Sequence, residues 1–329
     1  MYNANKKMLN LLILRILQEH TDEEHRLTQG EIIRLLNLQY GIICDRRSVR
    51  SNIQSLQDMG YEIATHGGCW LVERDFDNAE LRMLIDSVLF SRTLSTAQAK
   101  RLVDKLKGVG TRYFHAKVAH ISHLSELTHA DNKQVMLTLD VLNDAIEEKR
   151  KVRFVYNTYG TDFKLHPKRS APYIVSPYQL AAHNGWYYLI GCYDTHDNIS
   201  HYRVDRITAA EMLPEPVKPK RAVQELARGF HLPRHMAEHI YMFSGESVTV
   251  KLQTHIDMMD ALIDWFGKDF RIVEEGEGQM CVTLRCNEQA MKYWALQYGG
   301  HVEILAPQSL RTAVRDAVEK MVKMYEEDV

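Results

Sequence analysis

Residues 184–207 read Asn184-Gly-Trp-Tyr-Tyr-Leu-Ile-Gly-Cys-Tyr-Asp-Thr-His-Asp-Asn-Ile-Ser-His-Tyr-Arg-Val-Asp-Arg-Ile207, and the rest of the chain is organised around them. From Trp186 to Tyr193, aromatic and β-branched residues run without helical spacing. From Tyr202 to Ile207, apolar and charged residues alternate. Both segments are expected to be strands. The Asx-rich residues 194–198 between them are turn chemistry, which makes the pair a hairpin. Side chains alternate with a period of two, so Tyr202, Val204 and the stem of Arg206 share one face, while Arg203, Asp205 and Ile207 share the other. Two arginines and an aspartate on such a strand suit an anionic ligand, with Asp205 fixing a guanidinium through paired hydrogen bonds. The plainer alternative is a solvated salt bridge on an edge strand.

Tyr187-Tyr188-Leu189, with Gly185 before it and Gly191 after it, lies between Ser176-Pro-Tyr-Gln-Leu180 and Tyr202-Arg-Val-Asp-Arg-Ile207. This set of three linked motifs resembles the core of the WYL-domain bacterial transcriptional regulators, and the resemblance extends over almost the whole chain. One departure is plain: Tyr187 stands at the family's name-giving Trp, and Trp186 comes one place earlier. A one-residue shift moves the indole to the other strand face, so Trp186 does not simply inherit that role. The resemblance implies an SH3-like barrel with a ligand-sensing role here. It also implies a C-terminal extension that makes dimer contacts and helps in effector control.

A chain of 329 residues is expected to hold two or three domains. Its net charge of −2 argues against a non-specific polyanion binder and is silent about a sequence-specific one. The five cysteines are scattered without a Cys-x-x-Cys pair, as in a reduced cytoplasmic protein. No apolar run approaches a membrane span, and residues 6–17 lack a small-residue cleavage site. The expectation is a cytoplasmic protein with no membrane partner.

Residues 1–75 read as a winged helix-turn-helix. Leu11, Leu14, Ile16 and Leu17 mark a first helix, Thr28 with Glu31 caps a second, and Asp45 opens a third that Gly60 ends. A short hairpin around Gly67-Gly68 follows. Val49, Ile53 and Leu56 form the inner face of the third helix. Its outer face carries Arg46, Arg47, Arg50, Ser51 and Gln54, donors able to reach phosphates and base edges from a major groove. With His66 of the hairpin these are the candidate DNA contacts, the alternative being a merely solvated helix face. Residues 76–134 read as a helical linker in which 78–107 is one long helix, its stripe of Leu81, Leu84, Ile85, Val88 and Leu89 serving dimerisation. Residues 118–127 read as a further helix with His120 and His123 on one face and His115 and His129 nearby. No cysteine or carboxylate completes a metal shell there, so no metal is expected.

Residues 135–213 are the WYL segment: a helix over 134–150, then four or five short strands able to close as a small barrel. His166, Lys168, Arg169, His201, Arg203 and Arg206 supply charge, and Tyr156, Tyr173, Tyr178, Tyr188 and Tyr202 supply stacking faces. That mixture suits a nucleotide or short single strand, although tyrosines in such a domain also serve as core and rim. The candidate ligand residues are Arg203, Arg206, Asp205, Tyr188, Tyr178, His166 and His201. In this reading Arg203 meets the phosphate, Asp205 orients it, and Arg206 points to the opposite side. Pro214, Pro216 and Pro219 suggest an extended linker. Residues 220–329 then begin with a helix over 221–230 and continue in β-α-β-β-α-β-α order, which is ferredoxin-like.

The fold class is therefore α+β and multidomain. No Gly-x-Ser-x-Gly, P-loop, zinc-deaminase pattern or carboxylate cluster is present, so no enzyme and no cofactor is expected. The leading expectation is a homodimeric regulator that binds a double-stranded DNA operator under control of a nucleotide or short oligonucleotide. A constitutive architectural DNA binder and, behind it, a nucleic-acid-processing enzyme are the alternatives.

Overall fold

In the computed structural model, which describes residues 8–117, 134–227 and 229–326, the chain forms two units, Met1–Asp131 and Asn132–Val329. The first opens with α1 (Leu9–His20), α2 (Gln29–Tyr40) and α3 (Arg46–Asp58), then the hairpin β1 (Ile63–Ala64) and β2 (Trp70–Leu71). Local chemistry sets these boundaries. The Thr28 hydroxyl accepts from the Glu31 amide while the Glu31 carboxylate accepts from the Thr28 amide at 2.7 Å, a complete capping box. Gly41 ends α2 in the left-handed region, and Asp45 caps α3 by accepting from the Ser48 amide at 2.7 Å. Ile13, Ile16, Leu17, Ile32, Leu36, Val49, Ile53 and Leu56 form the core, with Ile63 and Leu71 of the hairpin. Beyond the hairpin, the Arg74 guanidinium donates to the carbonyls of Leu17, Gln18 and Thr21, tying the departing chain to the end of α1.

The stretch expected to be one long helix is two: α4 (Asn78–Phe90) and α5 (Thr96–Lys107), followed by α6 (Arg112–Lys117). Ser95 and Gln98 form a capping box that restarts the chain, a signal the apolar periodicity concealed. The apolar stripe is also used internally. Leu81, Ile85 and Leu89 are buried with Val103 and Phe114, so they are not free for a second copy. His120, His123 and His129 lie outside the described residues, as does the side chain of His115.

The second unit starts with α7 (Val135–Glu147), shorter than expected, because Arg150 already belongs to a strand. The strands are β3 (Arg150–Tyr159), β4 (Leu165–Pro167), β5 (Tyr173–His183), β6 (Trp186–Tyr193), β7 (Ile199–Arg203) and β8 (Ile207–Pro216). They pair in the order β4-β3-β5-β6-β7, and β8 returns to β3. Asn184 and Gly185 turn β5 into β6 with both φ angles positive, 49° and 79°, as a two-residue hairpin of this twist requires. At Gly191 a Cβ would lie 2.6 Å from Val175 Cγ1 and 2.9 Å from the Ser176 carbonyl oxygen, so the β5–β6 pairing leaves no room for a side chain. Val135, Leu142 and Ala145 of α7 close over Val152, Phe154, Val175, Leu189, Tyr202, Val204 and Ile207.

One expectation fails here with consequences for the site. Residues 202–207 are not a continuous strand: a 3-10 turn occupies Val204–Arg206 between β7 and β8. The turn breaks the two-residue alternation, and Ile207 joins Tyr202 and Val204 in the core instead of lying with Arg203 and Asp205. Two smaller readings also change. Pro214 and Pro216 end β8, where Pro216 is paired with Arg150, so they belong to an edge strand and not to a linker. Residues 221–230 form no α-helix among the described residues; the helix is α8 (Leu232–Glu238).

The C-terminal part has the expected order: β9 (Ser247–His255), α9 (Met259–Phe266), β10 (Arg271–Gly276), β11 (Gln279–Asn287), α10 (Glu288–Gln297), β12 (Val302–Ala306) and α11 (Gln308–Tyr325). Its antiparallel sheet runs β10-β11-β9-β12. Val250, Leu252, Leu262, Phe266, Val282, Met291, Trp294 and Leu310 fill its core. Among the described residues, no helix is long and apolar enough to cross a membrane.

Candidate functional site

The strongly amphipathic α3 turns Val49, Ile53 and Leu56 inward, and its solvent side then follows from 3.6-residue geometry. Arg46, Arg47, Arg50, Ser51 and Gln54 are all exposed there, and His66 is exposed in the hairpin loop. Arg46, Arg47 and Arg50 form no salt bridge among the described residues, although Arg47 adds to the Ser48 hydrogen bonds that hold the Asp45 carboxyl below its usual range. Gln54 is partly engaged, donating to Asp58 at 3.0 Å. The face therefore offers three guanidiniums and a hydroxyl on about two helical turns.

In the second unit, residues from β3, β6, β7 and the 3-10 turn converge. Arg203 donates from Nε and Nη2 to the two carboxylate oxygens of Asp205 at 3.0 and 2.9 Å. The Asp205 side chain is 1% exposed and that of Arg203 21%. The guanidinium also lies flat against Trp186, its carbon 3.5 Å from the ring centroid. Tyr188 is the cross-strand neighbour of Arg203, and the Arg203 amide donates to the Tyr156 hydroxyl at 3.2 Å. Burial pushes the Tyr188 phenol above its ordinary pKa, and both Arg203 and Arg206 act against that shift. The Tyr156 phenol is raised by burial too, and the Arg203 amide and the two arginines oppose it. Both arginines thus bear on the same two phenols. The expectation that they point to opposite sides came from strand alternation, which the 3-10 turn interrupts.

The two arginines are not equivalent. Arg203 is committed to a buried carboxylate. The Arg206 Nε is buried without a hydrogen-bond partner among the described residues, while its carbonyl accepts from Asn157 at 2.9 Å.

Three other expected ligand residues have separate local partners. Tyr178 packs in the cluster beneath α8, donates to the Lys218 carbonyl at 2.8 Å, and has its pKa pushed up by burial to about 12. His166 is exposed and holds Asp162 at 2.9 Å. His201 stacks on His235 and meets His239 at a tilt of 47°. Sequence reasoning set Trp186 aside because of its shifted position, and read Tyr156 as one stacking face among several without placing it among the candidate ligand residues. It also missed His235 and His239, although their i, i+4 spacing was readable.

With this geometry in place, comparison with known families finds two domains. Residues 138–212 match the WYL domain and residues 246–322 the WCX domain. The chain thus carries a WYL domain followed by a WCX domain. Among solved structures it is similar to proteasome accessory factor B/C (PafBC) of Arthrobacter aurescens, at 16% identity over 99% of this chain and 50% of that one, with a TM-score of 0.30. A CRISPR Cas-related protein is also similar, at 13% identity over 98% of this chain and 86% of that one, with a TM-score of 0.38. The chain spans half the length of the first of these. No curated protein matches the sequence.

Proposed function

We propose that this protein is a sequence-specific DNA-binding transcriptional regulator, not an enzyme, whose WYL domain takes an anionic effector such as a nucleotide or a short single strand. The observation that carries the reading is the outer face of α3, where three exposed guanidiniums, with no ion pair among the described residues, stand on a helix fixed by its inner face. Helices α1 to α3 with the β1–β2 hairpin form a winged helix-turn-helix in this reading, with α3 in the major groove. The strands β3 to β8 form an SH3-like barrel, and the order β10-β11-β9-β12 is that of a ferredoxin-like sheet.

In the WYL domain, Arg206 meets the ligand's anionic group, since its buried Nε has no hydrogen-bond partner among the described residues. Arg203 acts as a positioning residue, braced by Asp205 and Trp186, and Tyr156 and Tyr188 supply aromatic faces. The protein acts as a homodimer, because one nearly neutral reading head makes few phosphate contacts and two add through effective concentration. The exposed apolar side chains of α11, Val318, Met321, Val322 and Tyr325, form its contact in place of the buried α4 stripe.

The test begins by selecting binding sites from random double-stranded DNA with the full chain, then compares selected and scrambled duplexes. Arg50→Ala is expected to weaken selected-site binding by about 1 to 3 kcal/mol if it reads a base, and both duplexes alike if it touches phosphate. Unchanged affinity in Arg46→Ala, Arg47→Ala and Arg50→Ala would remove α3 from the interface. Titration with mono- and dinucleotides and short single strands is expected to give binding that Arg206→Ala abolishes.

A further inference from the structure

His201 lies at the middle of β7, opposite Ile190, while His235 and His239 lie one turn apart at the end of α8. Leu232 and Met236 seat α8 on a cluster containing Ile190, Cys192, Ile199, Val223 and Leu226, which brings the three imidazoles together. His201 Nε2 is 2.8 Å from His235 Nε2. Ring centroids are 5.0 Å apart for His201 and His235, 5.2 Å for His201 and His239, and 4.2 Å for His235 and His239. One ring nitrogen from each residue lies within 4.8 Å of the other two.

A plain core-histidine account leaves a remainder. A hydrogen bond between His201 and His235 uses one nitrogen of each ring, yet His201 Nδ1 is buried with no hydrogen-bond partner among the described residues. Orphaned buried polar atoms are costly. His239, by contrast, donates from Nδ1 to the Phe243 carbonyl at 2.9 Å. That bond, the outer support that metal-binding histidines usually have, fixes its tautomer and leaves Nε2 as the acceptor, held only by the Ser247 hydroxyl at 3.5 Å among the described residues. Burial lowers the pKa of all three rings, so they are neutral, with lone pairs available, near pH 7.

We propose that His201, His235 and His239 bind a divalent transition-metal cation of the zinc class, through three imidazole nitrogens and a fourth position open to solvent. Nitrogen ligands at about 2.0 to 2.1 Å in a tetrahedron stand roughly 3.4 Å apart. Binding therefore opens the short His201–His235 contact and draws the other rings inward, by side-chain rotation alone. The fourth position faces a cavity of about 1040 Å³ lined in part by Glu225, His231, Glu238 and Arg285. Neither nearby carboxylate is idle: Glu238 pairs with Arg234 at 2.8 Å and Arg285 at 3.4 Å, and Glu225 accepts from the Ile199 amide at 3.1 Å. Water completes the shell. Three neutral imidazoles favour zinc over magnesium or calcium, which prefer oxygen. The expectation of no metal rested on His120 and His123; this site uses other histidines. It is independent of DNA binding, and it fastens β7 of the WYL domain to α8, two residues from Arg203 on the same strand.

The test uses the full chain after chelator treatment, titrated calorimetrically with Zn²⁺ and spectroscopically with Co²⁺. One equivalent is expected to bind, the Co²⁺ complex showing the intense visible bands of a tetrahedral nitrogen site, and bound Zn²⁺ is expected to raise the unfolding temperature. His235→Gln and His239→Gln are each expected to weaken binding by on the order of 100-fold, as loss of a ligand costs at least what loss of its support does. His166→Ala is expected to change nothing. Two results overturn the proposal: no Zn²⁺ binding by the wild-type chain, or undiminished binding in a His235→Gln/His239→Gln variant whose circular dichroism is native. Should the variants fail to fold, the wild-type Co²⁺ spectrum decides alone, and weak octahedral bands count against the site.

Discussion

Replacing Arg203 with alanine is expected to damage the fold before it reports on any ligand. The Asp205 side chain is 1% exposed and accepts two close hydrogen bonds from that one guanidinium, at 3.0 and 2.9 Å. Removing the arginine takes the two-pronged partner from a buried carboxylate, and breaking a buried ion pair in this way costs about 3 to 5 kcal/mol. Loss of the stack on Trp186 at 3.5 Å adds about 0.5 to 1 kcal/mol. Most of this penalty belongs to the stranded aspartate, so an apolar pair of similar size, Arg203→Met with Asp205→Leu, is expected to recover most of it. Arg203→Lys, which keeps the charge but loses the two-pronged geometry, falls between. Urea unfolding of the wild type, Arg203→Met, Asp205→Leu and the double variant, followed by hydrogen exchange of β6 and β7 amides, gives the coupling energy by a double-mutant cycle. A loss below about 1 kcal/mol in Arg203→Ala would refute the reasoning, as would a double variant as unstable as the sum of its singles.

Thr28→Ala removes the acceptor for the Glu31 amide and is expected to cost the first unit about 1 kcal/mol in thermal or urea unfolding, with Thr28→Ser retaining wild-type stability. Gly191→Ala places a methyl against Val175 and the Ser176 carbonyl and is expected to lower the unfolding temperature of the second unit; an unchanged value would mean that β5 and β6 separate freely. Burial, reinforced by His239 and opposed by Glu238, lowers the His235 pKa from 6.5 to about 4. The unfolded chain therefore binds a proton more readily between those values, and stability falls as pH drops through that window. From pH 7 to pH 5 the metal-free second unit is expected to lose about 2 kcal/mol on this account. A His235→Gln variant should show a flatter profile, and equal slopes in the two proteins would remove His235 as the cause.

Features governed by neighbours in sequence were readable without a structure. The Thr28–Glu31 box, the Asp45 cap, the strand Trp186–Tyr193 and the order of C-terminal elements all follow from caps and periodicity within a few residues. What escaped depends on distant partners or imitates a simpler pattern. Val204-Asp205-Arg206 alternates apolar and charged residues as a strand does, so the 3-10 turn was hidden and the two arginines were assigned to opposite faces. The α4 stripe was correctly read as apolar, but periodicity does not say whether Val103 and Phe114 or a second copy will cover it. His201 and His235 are 34 positions apart, and only the packing of α8 joins them.

The turn at Val204–Arg206 also limits how this segment can diverge in length. Ile207 packs with Val204, three positions back, and the next residue, Thr208, takes a hydrogen bond from Asn157 at 2.9 Å. One residue inserted or deleted here would exchange their places, sending an isoleucine toward the polar partner and a threonine into the core. Substitutions at 204–206 leave that count intact. Homologous chains are therefore expected to vary in residue type across this turn far more readily than in the number of residues that compose it.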